Sequence, residues 1–237
     1  MLPLDPIYLN SLTILPGERV LTRLVVSRLP SGTLIDVPVH VLRGPAPGPV
    51  LLLMAGMHGD EVNGIETIRR MLRRDLLHPE RGTVVAIPIL NIYGFLNFSR
   101  EVPDGKDVNR AFPGHTGGAA RANYPQVRCE LGTDPETDAL AAAFGAPFTL
   151  HAGLRPGSVR EAAQRLGKRL LVFETGESLR LDEPGIEMAV AGTLRVLHHL
   201  GMAPAGPEPE QPTLVCRRHT WVRARFAGLF RAHVQNG

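Results

Sequence analysis

The chain has 237 residues, 43% of them hydrophobic, enough for one sizeable α/β core and too apolar for a disordered segment. No apolar run nears the ~20 residues of a membrane helix, no basic-then-apolar leader opens the chain, and two distant cysteines, Cys129 and Cys216, exclude a disulfide framework or a cysteine metal site. Its 26 basic residues face 23 acidic ones and lie scattered, so the composition predicts a cytoplasmic protein with no nucleic-acid and no membrane partner.

In chain order, residues 20–26 and 33–42 are rich in Val, Leu and Ile and flank Leu29-Pro30-Ser31-Gly32, which predicts an N-terminal β-hairpin. Residues 50–54, Val-Leu-Leu-Leu-Met, are a short continuous apolar run, the pattern of a strand buried on both faces, and are expected at the centre of the sheet. Ile65, Ile68, Met71 and Leu72 then recur at helical spacing, with Arg69, Arg70, Arg73 and Arg74 for the opposite side. Residues 83–90 read as a second buried strand, which completes a β-α-β unit and makes the sheet parallel there.

From 91 to 124 the periodicity gives way to Gly, Pro, Asn and Arg, a long irregular stretch of the kind kept for substrate binding. Helices are expected at 136–144, 159–166 and 186–200, the last capped by Gly201, and strands at 147–151 and 169–175. Residues 203–212 form a Pro-rich linker. The predicted organisation is a catalytic domain over 1–202 and a partial C-terminal β domain over 213–237. The fold class is α/β, with a mixed, mostly parallel central sheet flanked by helices, an N-terminal β-hairpin and an incomplete C-terminal β segment. The basic run Arg217, Arg218, Arg223, Arg225 and Arg231 reads as a solvated face of terminal strands rather than a phosphate patch.

His58 and Glu61 stand three apart in Gly56-Met57-His58-Gly59-Asp60-Glu61, at the carboxyl end of a predicted strand, the edge where open α/β sheets bind ligands. An imidazole nitrogen and a carboxylate oxygen suit Zn²⁺, whose catalytic sites take three protein ligands and a water; a helix cap beside a structural histidine is the alternative. Gly56 and Gly59 let the backbone turn tightly, and Asp60 is placed to orient the imidazole. Arg100, Asn109 and Arg110 lie in the irregular stretch, where the two-pronged guanidinium donors suit an anionic substrate; surface arginines in a charged loop are the alternative. Glu174 ends a strand on the same edge and can move a proton between water and a leaving amine, or be a plain strand-end glutamate.

Gly56 to Glu61, Asn91-Ile92-Tyr93-Gly94-Phe95, Ser99-Arg100, residues 107–114 (Asp-Val-Asn-Arg-Ala-Phe-Pro-Gly) and Phe173-Glu174-Thr175-Gly176-Glu177 together resemble the succinylglutamate desuccinylase/aspartoacylase family, whose catalytic domain is similar to zinc carboxypeptidases. The resemblance covers roughly residues 50–200. It implies a zinc-dependent hydrolase, a deacylase that cleaves the amide bond of an N-acyl amino acid or a related small N-acylated amine, a carbon–nitrogen bond outside peptides. One Zn²⁺ per chain would be held by His58, Glu61 and a third histidine, while Arg100 would polarise the scissile carbonyl. Asn109 and Arg110 would hold the substrate carboxylate, and Glu174 would be the general base and then the acid.

The family delivers its third ligand, a histidine in an Asp-Leu-His-Thr-Gly-like segment, on a strand of its own after an intervening helix. Here His115-Thr116-Gly117-Gly118 follows Phe112-Pro113-Gly114 directly, without some tens of residues that the resemblance places between them. His115 is the expected third ligand and His151 the other candidate. Residues 220–231 resemble the start of the family's small β domain, and strands left unpaired there favour a homo-oligomer. Two other readings follow: a non-catalytic remnant that binds a metal or ligand, and a carboxypeptidase-type peptidase.

Overall fold

A computed structural model describes residues 5–112, 123–129, 134–220 and 226, with the backbone alone for 123–129. The expected hairpin is present and longer than its apolar pattern: β3 (Arg19–Arg28) and β4 (Leu34–Arg43) pair antiparallel across the Pro-Ser-Gly turn. Two short strands precede it, β1 (Ile7–Leu9) and β2 (Leu12–Ile14), which pair with each other. With three residues each, they show no alternation a sequence reading could detect.

The motif strand, β5 (Ala46–Met54), leads into α1 (Val62–Arg73), and β6 (Arg81–Ile87) returns parallel to β5 and antiparallel to β4. The sheet order is β3-β4-β6-β5. One face carries Leu42, Val84 and Ala86 against Ile68 and Met71 of α1 and Val190 and Leu197 of the long C-terminal helix. The other face packs Val39 and Val41 on Ile14 of the small hairpin.

After β6 come α2 (Ile92–Asn97), a single 3₁₀ turn at Val108–Arg110, and β7 (Asn123–Cys129). α2 falls within the stretch 91–124 expected to be irregular, and β7 begins at its end, overlapping it at Asn123 and Tyr124. Asn91 caps α2, its side chain accepting the Gly94 N–H at 2.9 Å. Next are α3 (Pro135–Phe144), β8 (Phe148–His151), α4 (Val159–Arg165), β9 (Val172–Gly176), α5 (Glu183–His199) and β10 (Leu214–Cys216), close to the expected bounds. A second four-stranded sheet results, ordered β10-β8-β7-β9, with β9 antiparallel to β7 and the other neighbours parallel. The linker thus ends in a strand that joins this sheet; most of residues 221–237 lie outside the described residues.

Two expectations are corrected. The described strands form two four-stranded sheets and a two-stranded one, not one central sheet, and three neighbouring pairs are parallel against four antiparallel, so the sheets are mixed without a parallel majority. Among the described strands β5 lies at an edge, not at the centre: Leu51 and Leu53 face the core, while Val50 and Leu52 are 67% and 54% exposed. A continuous apolar run says that a strand can be buried on both faces; it does not say which strands flank it.

The two sheets share α5. Ala141 and Phe144 of α3 and Val196 of α5 form a cluster that takes Leu51 from β5 and Leu171 and Phe173 from the β9 side. Toward α1, charge joins the helices: Arg70 pairs with Glu66, Glu183 and Glu187, and Arg74 pairs with Glu187. Hydrogen bonds from Arg69 and then Arg70 hold the Glu66 carboxyl at about 2, and Arg74 and Arg70 do the same for Glu187. No helix among the described residues is long and apolar enough to cross a membrane.

Candidate metal centre

The segment after β5 turns sharply because Gly56 has φ +57°, where a side chain would be strained, and its carbonyl accepts the Asn91 N–H at 2.8 Å. Gly59 is needed for a different reason. A Cβ there would lie 1.7 Å from the Gly94 carbonyl carbon, so the motif and α2 pack backbone on backbone. The Gly59 N–H donates to the Ser99 carbonyl at 2.8 Å, which brings Arg100 alongside His58.

His58 is buried, 4% exposed. Its Nε2 lies 3.0 Å from Asp107 Oδ1 and its Nδ1 lies 2.9 Å from Glu61 Oε1. Asp107, at 2% exposure, also accepts the Asn109 N–H at 2.8 Å and Arg100 Nε at 2.8 Å. Burial works to raise the Asp107 carboxyl, but the Asn109 N–H, the His58 ring and the Arg100 guanidinium together hold it below its usual value. An ionised Asp107 fixes the tautomer: Nε2 carries the proton and donates, and the Nδ1 lone pair points toward Glu61.

That arrangement suits a cation. Arg100 Nη1 stands 3.1 Å from Nδ1 and 3.3 Å from Glu61 Oε1, so a positively charged donor sits where the two lone pairs converge. Nδ1 and Oε1 are also close enough to reach one Zn²⁺ at ~2.0–2.2 Å. Among the described residues no group of three or more His, Cys, Asp or Glu side chains gathers to hold a metal, so His151, at the end of β8, does not join the pair. His115 lies outside the described residues.

Asp60 does not orient the imidazole as its place in the motif suggested. Its Oδ2 accepts from Ser178 Oγ at 3.0 Å and its carbonyl from the Leu179 N–H at 2.8 Å, which docks the end of β9 on the motif. Orientation falls to Asp107, 49 residues from His58. Asn109 spends its side-chain oxygen on the Val159 N–H at 3.1 Å, and Arg110 donates to the Asn109 carbonyl at 2.6 Å. Burial and then the neighbouring Arg155 and Arg100 lower the Arg110 guanidinium against the opposing pull of Asp107. Three arginines thus share one neighbourhood, and Arg155, isolated in the sequence, had no pattern to reveal it. Half-buried Glu174 sits in β9 opposite Gln126 of β7, and β9 is tied to α1 through Asn63, whose amide donates to the Thr175 carbonyl at 3.4 Å.

Comparison with known proteins sets these residues in context. Residues 47–114 match the succinylglutamate desuccinylase/aspartoacylase catalytic domain. The crystal structure of a succinylglutamate desuccinylase/aspartoacylase from Rhodobacter sphaeroides superposes with a TM-score of 0.71 at 27% identity, over 83% of this chain and 71% of that one. Over residues 47–114 the chain is thus similar to the succinylglutamate desuccinylase/aspartoacylase catalytic domain.

The match to the family domain contains His58, Glu61, Arg100, Asp107, Asn109 and Arg110, and it ends one residue before His115. Among curated relatives, the N-alpha-acetyl-L-2,4-diaminobutyric acid deacetylase of Halomonas elongata is 27% identical over 195 residues, 65% of this chain. The chain spans 57% of that deacetylase's length. The product-bound ectoine utilization protein of Ruegeria pomeroyi shares the fold, with a TM-score of 0.72 at 22% identity over 91% of this chain and 76% of that one.

Proposed function

We propose that this chain is a member of the succinylglutamate desuccinylase/aspartoacylase family and a metal-dependent amidohydrolase that removes the acyl group from a small N-acyl amino acid or N-acylated amine, with one Zn²⁺ held by His58, Glu61 and His115. The observation that carries the reading is the convergence of His58 Nδ1 and Glu61 Oε1 at 2.9 Å, with Asp107 fixing the ring from behind. The deacetylase named above acts on an N-acetylated amino acid, which is the substrate class the arginine-rich surroundings suit.

Bound zinc would supply Lewis acidity, polarising the amide carbonyl and acidifying a water. Around it, Arg100 would steady the negative charge that develops on the carbonyl oxygen, and Arg110, backed by Arg155, would hold the substrate carboxylate. The Glu174 carboxylate would take a proton from the attacking water and return it to the leaving amine nitrogen. The chain would work in the cytoplasm.

A panel of N-acetyl and N-succinyl amino acids, assayed with the zinc-loaded protein, tests this. Turnover on at least one member is expected, and Glu174→Gln is expected to lower kcat about 10²- to 10⁴-fold with zinc affinity kept. Zinc binding without turnover on the whole panel, and a Glu174→Gln variant equal to wild type, would rule the reading out. That result would favour the second reading, a metal-binding module without catalysis, motivated by the presence of only two converging ligand side chains among the described residues.

A further inference from the structure

The end of β9 is held to the first turn of α1 by a closed ring of three hydrogen bonds. Asn63 Oδ1 accepts the Asp182 N–H at 2.8 Å, Asp182 Oδ2 accepts the Thr175 hydroxyl at 2.7 Å, and the Thr175 carbonyl accepts Asn63 Nδ2 at 3.4 Å. Asn63 is 5% exposed, and both halves of its amide are used in the interior. The space around the ring is cut to fit. A Cβ at Gly176 would lie 2.5 Å from Asn63 Nδ2, and one at Gly185 would lie 2.0 Å from Thr175 Oγ1 and 2.4 Å from Asp182 Oδ2.

Helix stability alone does not account for this ring. Asp182 is the N-cap residue of α5, where an aspartate normally accepts an N–H of its own helix, yet it makes no such bond and turns its carboxylate to Thr175. The segments that the ring joins carry the two carboxylates of the proposed reaction. Asn63 lies two residues beyond Glu61, and Thr175 directly follows Glu174. On the other side of Glu61, Asp60 holds the loop that follows β9, through the Ser178 hydroxyl at 3.0 Å and the Leu179 N–H at 2.8 Å. The segment bearing Glu61 is thus fixed on both sides to the chain that runs on from Glu174.

We propose that Asn63 is a positioning residue, whose amide sets the distance between the Glu61 and Glu174 carboxylates by clamping the end of β9 to the start of α1. This rests on the reading of Glu61 as a metal ligand and Glu174 as the base. Asn63 acts through the backbone of β9 and the start of α5, to which its bonds run, and not on the reacting atoms. Proton transfer from an attacking water needs the base within hydrogen-bond reach, and a misplacement of about 1 Å can lower the rate about 10²-fold. Loss of the clamp therefore falls on kcat, while KM and zinc affinity are kept.

Kinetics, zinc titration and hydrogen exchange on Asn63→Ala, Thr175→Val and the double variant test the clamp, with a substrate that the wild type turns over. Thr175→Val breaks the ring at a second point with little change of shape, and so serves even if Asn63→Ala does not fold. Each single variant is expected to lose about 10- to 100-fold in kcat, with KM and zinc affinity within about threefold of wild type. The double variant is expected to fall no more than about twofold below the lower single, because both substitutions open the same ring. In the metal-free chain, exchange at residues 175–183 is expected to quicken about tenfold in all three. Wild-type kcat in the variants, a loss that tracks zinc release, additive losses or unchanged exchange would each overturn the proposal and leave the proposed function standing. A wild type that turns over no substrate would overturn both.

Discussion

Gly59→Ala is expected to destabilise the protein by about 3 kcal/mol or more and to abolish zinc binding with it. The reason is steric and local. The added methyl carbon would stand 1.7 Å from the Gly94 carbonyl carbon, 2.0 Å from its oxygen and 2.1 Å from the Phe95 nitrogen, all backbone atoms that no rotamer change can move. Relief requires α2 to shift away, and with it the chain just beyond its end, which holds the Ser99 carbonyl that accepts the Gly59 N–H and leads to Arg100. Gly153→Ala is the control: its added methyl meets nothing within 4 Å, and a change within about 0.5 kcal/mol is expected. Denaturant unfolding of both variants and a zinc titration check the pair, and equal stabilities would show that the close contact carries no weight.

Asp107→Ala is expected to cost about 3–5 kcal/mol of stability and to weaken zinc binding about 10- to 100-fold. Asp107 is the buried anion between His58 Nε2 and Arg100 Nε, so its removal leaves a guanidinium only 16% exposed without its shortest carboxylate contact, with Glu61 Oε1 at 3.3 Å still beside it. The ring of His58 also loses the acceptor that keeps the proton on Nε2, and the Nδ1 lone pair is then available to metal in only part of the population. Asp107→Asn keeps an acceptor oxygen and the shape of the side chain, so it is expected to fall between alanine and wild type in zinc affinity. Calorimetric zinc titration of the three proteins reads the order, and an unchanged affinity in Asp107→Ala would remove Asp107 from the centre.

The contrast between Asp60 and Asp107 shows what the sequence could and could not deliver. His58 and Glu61 were legible because they are three apart in one short motif, and a turn closes within such a span. Nearness in sequence points to Asp60 as the residue that orients the ring, whereas the structure uses a residue 49 positions away, reached because Gly59 lets α2 and its following loop close on the motif. Arg155 was invisible for the same reason, since its nearness to Arg110 is a product of the fold and not of spacing.

The fold divides in the same way. The hairpin of β3 and β4 was readable from its turn residues and its β-branched run, and α1 and α5 from their apolar spacing. α2 was not, because six residues centred on a glycine give less than two turns of periodicity. The place of β5 is not legible in its sequence, because Val50 to Met54 states only what the strand can bury, and its neighbours decide what it does bury.

The central claim is that His58 and Glu61 hold a metal through Nδ1 and Oε1. Isothermal titration of the metal-free protein with Zn²⁺, beside His58→Ala, tests it most directly. One zinc per chain in the wild type, with affinity at least about 100-fold lower in His58→Ala and an unchanged fold by circular dichroism, is the predicted result. Binding that is absent from the wild type, or that His58→Ala leaves unaltered, would contradict it.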